Sequence, residues 1–108
     1  MALYKVLGQA NPTTTGVSTA LYAVPAATQA FCSTLSICNQ GAIATLVRVA
    51  VQPNGAAIDT KHYIVYDHTI QANDSLFLTI GLALDETDEV NVQASTTSVS
   101  FSLFGSTI

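Results

Sequence analysis

The sequence predicts an all-β protein: an antiparallel β-sandwich of jelly-roll type with about eight strands. Three observations carry that expectation. Apolar and polar residues alternate strictly in one short run after another, the period of strands with one buried face. Turn-forming residues separate the runs, and no segment has a helical period. Short strands at this spacing build sandwiches and jelly rolls.

The strands are expected at 3–7, 20–24, 28–38, 43–52, 62–70, 75–80, 89–95 and 98–104. In 28–38 Phe31, Leu35 and Ile37 form the apolar set, against Thr34 and Ser36. In 43–52 Ile43, Val47, Val49 and Val51 share one face, and Arg48 and Gln52 the other. Val90, Val92 and Ala94 alternate with Asn91 and Gln93, and Val99, Phe101 and Leu103 with Ser98, Ser100 and Ser102. The breaks hold Pro25, Asn39-Gln40-Gly41, Pro53-Asn54-Gly55, Asn73-Asp74 and Asp85–Asp88. Gly and Asn tolerate positive φ, and Pro cannot donate to a ladder.

The chain has 108 residues, the size of one domain. Only 9% of them are charged while 49% are hydrophobic, against about 25% charge in an ordinary domain. The outward strand faces must therefore be largely Ser, Thr, Asn, Gln and Ala. Charge normally keeps sheet edges and faces apart from their neighbours. A chain without it is expected to bury neutral surface against copies of itself or another protein. The net charge of −4 and the scattered Lys5, Arg48 and Lys61 argue against nucleic acid, which needs clustered cations. No apolar run approaches the ~18 residues of a membrane helix, and Met1–Lys5 lacks the basic start of a leader peptide. Synthesis in a cytoplasm is the expectation, unless the protein leaves as part of a larger particle.

Residues 1–19 read as an N-terminal strand with an extended arm or linker, and 20–108 as the sandwich. Leu3, Tyr4, Val6 and Leu7 form an apolar patch, separated from the body by a stretch that includes Asn11 and Pro12. Two readings stand. The segment crosses to a neighbouring subunit, or 3–7 returns as an edge strand of its own sheet.

Cys32 and Cys38 fall in one expected strand, about 20 Å apart at roughly 3.3 Å per residue. That is beyond the ~7 Å reach of a disulfide, so two reduced thiols are expected. His62 and His68, six apart in another strand, are too distant to share a metal and read as polar surface groups. His68, Asp74 and Ser75 can be written as a catalytic grouping, but no nucleophile elbow accompanies them. The acidic turn Asp85–Glu89 reads as a solvated loop, with Ca²⁺ binding as its rival. No catalytic residue, metal site or cofactor is expected. Tyr63 and Tyr66 have opposite parity, so one should face outward, as an interface anchor or as a platform for a sugar.

Several stretches share a pattern. They are Leu21-Tyr22-Ala23-Val24-Pro25, the run Ser33–Gln40, Arg48-Val49-Ala50-Val51 with Pro53, and Lys61–Asp67. Ala72-Asn73-Asp74, Leu78-Thr79-Ile80-Gly81 and Ser100–Ser106 complete the set. From about residue 20 onward the chain resembles small all-β virion structural proteins of tailed bacteriophages, many of them aquatic. The shared motifs are packing and turn signatures. The resemblance implies a non-enzymatic particle component, and the first expectation is a capsid cement, or decoration, protein. Such a protein binds the outside of the assembled shell, usually as a homotrimer, and bridges capsomers. Its partners are itself and the major capsid protein or other virion proteins, with no nucleic acid or membrane. The alternative is a neck, tail or baseplate component, such as a glycan-binding host-adhesion module. The partner-binding candidates are Leu3, Tyr4, Val6, Leu7, Asn11, Pro12, Tyr63 and Tyr66.

Overall fold

A computed structural model describes residues 3–12 and 14–108. Met1, Ala2, Thr13 and the side chain of Leu3 lie outside the described residues, and with them the expectation placed on Leu3 as a contact.

Eight strands form two layers: β1 (Leu3–Ala10), β2 (Thr19–Ala23), β3 (Ala30–Asn39), β4 (Thr45–Gln52), β5 (Tyr63–Ile70), β6 (Ser75–Leu84), β7 (Glu89–Ala94) and β8 (Val99–Thr107). Sheet A has the order β1-β8-β3-β6 and sheet B the order β2-β7-β4-β5. All neighbours are antiparallel. The pairs β1–β8, β2–β7, β3–β6 and β4–β5 nest within one another along the chain.

The core lies between the sheets. Leu35, Ile37, Phe101, Leu103 and Val99 point inward from sheet A, and Val47, Val49, Val90 and Val92 from sheet B; each is essentially inaccessible. These are the alternating apolar positions of β3, β4, β7 and β8. In β6, Leu76, Leu78, Ile80 and Leu82 pack against the same core, which turns Phe77, Thr79, Gly81 and Ala83 outward.

Three expectations are corrected. Phe31 is 51% exposed, and Cys32 takes its inward place. The ladder slips at Ser33, between Cys32 and Thr34, against both β6 and β8. Such a bulge reverses the alternation on its far side. Ile43 precedes β4 and is 66% exposed. His62 is not a strand residue. It sits in a single 3₁₀ turn, Thr60–His62, largely buried, where its Nδ1 accepts from the Asp59 amide at 3.0 Å.

Of the two readings of the N-terminus, the structure shows the edge strand. Leu3–Ala10 is the edge strand of the chain's own sheet, paired with β8 from Leu3↔Thr107 to Ala10↔Phe101. Leu7 and Ala10 pack on the core, and Pro12 is fully buried. The Asn11 amide, oriented with its NH₂ toward β8, donates to the carbonyls of Thr97 and Val99 at 3.1 and 2.7 Å. The linker thus has local partners of its own.

The ends of the sandwich are tied by polar side chains. Asn39 is completely buried. Its Nδ2 donates to the carbonyls of Ile43, Ile70 and Gln71, and its Oδ1 accepts from the Gly41 amide. One side chain thereby joins the β3–β4 and β5–β6 connections. At another end, the Asp88 carboxylate accepts from the amides of Asn54 and Asp85, and Glu86 from that of Ala27. The acidic turn is a clasp for three loops, with carboxylates turned onto backbone N–H groups.

Candidate interaction surfaces

Two surfaces stand out. The first is the outer face of sheet A. Its four strands carry one charged residue, Lys5. Cross-strand register sets the residues of this face in rows. Tyr4, Ser106, Phe31 and Ala83 make one row, and Val6, Phe104, Thr34 and Thr79 the next. Gln9, Ser102, Ser36 and Phe77 make the third. No ionisable carboxylate, ammonium or guanidinium interrupts them. Tyr4 is 86% and Phe77 70% exposed. The Phe31 ring lies across Gly81, its Cζ 3.9 Å from where a Cβ would stand. Single exposed apolar residues are ordinary on protein surfaces. A whole charge-free sheet face with three exposed aromatic rings is not.

The second surface is at the β4–β5 edge of sheet B. Arg48 Nε and Nη2 donate to the two oxygens of Asp67, at 2.6 and 3.2 Å. The guanidinium carbon lies 4.2 Å from the Tyr66 ring centre and 5.9 Å from that of Tyr63. The two tyrosine rings meet edge to face at 5.0 Å. Both therefore stand on the Arg48 side, against the expectation that their parity would separate them. The ladder slips between Val49↔Val65 and Ala50↔Tyr63, so Ile64 is an extra residue and Tyr63 is returned to the outer side. A second slip, before Val47↔His68, brings Asp67 to φ +50°. The hydrogen bond from Arg48 holds the Asp67 carboxyl below its ordinary value, and the same bond raises the guanidinium.

Ile58, Asp59, Thr60, Tyr63 and Tyr66 enclose a shallow hollow of about 280 Å³ beside this cluster. Asp59 Oδ1 accepts from the Thr60 amide at 2.7 Å. The same side chain closes a capping box, accepting from the His62 backbone N–H as well.

The partner candidates divide between these surfaces and the interior. Tyr4 and Val6 lie on the face of sheet A, and Tyr63 and Tyr66 at the edge of sheet B. Pro12 is buried and Leu7 packs partly on the core, while Asn11 is exposed with its amide tied to β8. Sequence reading missed Phe31 and Phe77. Phe77 was legible, because it falls on the minority face of the alternation Leu76, Leu78, Ile80, Leu82.

The remaining chemistry is dispersed. Asp74 Oδ1 accepts from the Ser75 amide at 2.9 Å, and among the described residues no hydrogen bond links His68 to either. Both cysteines are free thiols, Cys32 inward and Cys38 half-buried on the opposite side of β3. Among the described residues no cluster of three His, Cys, Asp or Glu side chains forms.

No family model matches the chain, and no curated protein matches it.

Proposed function

We propose that this chain is a non-enzymatic structural protein of a tailed-phage virion, a capsid decoration protein that acts as a homotrimer. The carrying observation is the charge-free outer face of sheet A with Tyr4, Phe31 and Phe77 exposed on it. Covering such a face removes apolar area from water and desolvates no ion, the two conditions for a well-packed interface. An acidic chain also meets a copy of itself with least repulsion through the face that carries no carboxylate. The virion setting rests on the resemblance of the stretches from Leu21 to Ser106 to phage structural proteins. Nesting of the strand pairs supports reading the sandwich as a jelly roll, one long antiparallel ribbon folded over on itself. Binding only to the assembled shell would stabilise that shell by mass action.

Light scattering at micromolar concentration, with Phe77→Glu as the control, tests the self-association. The reading expects a trimer that the charge dissociates while the circular dichroism stays that of the folded sandwich. A wild-type monomer at every concentration, and in the particle, would sink it.

A second reading has its own observation. The hollow bordered by Tyr63 and Tyr66 favours a neck, tail or baseplate protein that contacts host glycan. Binding to a panel of immobilised glycans separates the two readings.

A further inference from the structure

The geometry points to a single-residue saccharide subsite at the edge of sheet B, formed by Tyr66 and Tyr63 with Asp59 and Thr60. It deepens the adhesion reading and rests on it.

Tyr66 presents an ordered aromatic platform. Tyr66 is 57% exposed, yet its ring is fixed by Arg48 at 4.2 Å and by Tyr63 at 5.0 Å. A ring held before binding loses little freedom when a ligand stacks on it. The apolar C–H face of a pyranose is a suitable surface for such stacking.

The rim adds a polar complement. The Asp59 carboxylate accepts from the backbone amides of Thr60 and His62 and keeps lone pairs to spare, and the Thr60 hydroxyl makes a long contact of 3.4 Å to Oδ1. A carboxylate acceptor beside a hydroxyl that can donate or accept matches the vicinal hydroxyls of a sugar.

Charge decides against the rivals. Arg48 is already paired with Asp67, so it offers no free cation to a phosphate or sulfate. Asp59 repels such anions from the rim. A single rim carboxylate is equally a poor cation site, since Ca²⁺ takes six to eight oxygens. The hollow, about 280 Å³, falls just below the ~300–1,000 Å³ of drug-sized small-molecule sites. It suits one neutral ring of a longer chain.

The test is an amide-resolved NMR titration of the full chain with methyl glycosides of glucose, galactose, mannose, rhamnose and N-acetylglucosamine, alongside an array of defined oligosaccharides. The subsite predicts weak binding by at least one glycoside, with shifts confined to residues 58–66 and Arg48. Tyr66→Ala should bind roughly tenfold more weakly, the loss expected for one aromatic stacking contact. Tyr66→Phe, which keeps the ring and serves as the check on folding, should stay close to wild type. Oligosaccharide binding that maps elsewhere, or that Tyr66→Ala leaves unchanged, overturns the subsite and leaves the adhesion reading standing. No binding by any glycoside or oligosaccharide overturns both.

Discussion

Gly105 lies directly against the backbone of Phe31. A Cβ on Gly105 would come within 2.0 Å of the Phe31 carbonyl oxygen and 2.9 Å of the Cys32 Cα. This contact sits beside the bulge at Ser33, where β3 changes which side chains it turns inward. Any side chain at 105 must push β8 from β3 and disturb the slip that places Phe31 outside and Cys32 inside. Gly105→Ala should therefore destabilise the fold by about 3 kcal/mol, the upper part of the range for overpacking a tight site. Urea unfolding checks this. A midpoint within error of wild type would mean that β3 and β8 can separate freely at this point.

The buried amide of Asn39 is a second point of leverage. It satisfies three carbonyls and one amide in two connections. Asn39→Ala leaves buried backbone groups unpaired and should cost about 3 kcal/mol. Amide hydrogen exchange should rise at Gly41, whose N–H loses its acceptor. Unchanged exchange there would show that solvent already serves these groups.

Much of the sandwich was legible from alternation, because alternation reports burial directly wherever a strand is regular. The inward sets of β7 and β8, and Val47 and Val49 in β4, follow from period two alone. The rule carries only as far as the first bulge. The slip at Ser33 depends on Gly105, seventy residues away, so Phe31 was assigned to the core. The slip at Ile64 likewise hid the fact that Tyr63 and Tyr66 converge on Arg48. His62 and Pro12 look like surface residues by type. Their burial comes from a local turn and from packing next to β8, and neither leaves a periodic trace. The reach of β1 was ambiguous because an edge strand and an exchanged arm need the same apolar residues.

Alkaline pH should weaken the fold through Cys32. Burial lifts its thiol from an ordinary 9.0 to about 11. Between those values the folded chain keeps the proton and the unfolded chain releases it. Stability is therefore complete below pH 9 and falls as pH rises toward 11, by at most about 2–3 kcal/mol for two pKa units. Desolvation also raises Tyr22, which adds to the loss above pH 10. Denaturation curves from pH 8 to 11 should show a smaller drop for Cys32→Ala than for wild type. Equal slopes would remove the thiol from the alkaline limit. At pH 8 the half-buried Cys38 should react with a disulfide reagent first, and Cys32 only on unfolding.

The central claim is that the charge-free face of sheet A is covered in the working assembly. Under the proposed virion reading, a cryo-EM map of a phage particle containing the chain tests it most directly. The account predicts threefold clusters on the outer surface of the capsid, with Tyr4, Phe31 and Phe77 buried against a neighbouring copy or the shell. A particle in which the chain stands as an isolated subunit, with those three side chains facing solvent, would contradict it.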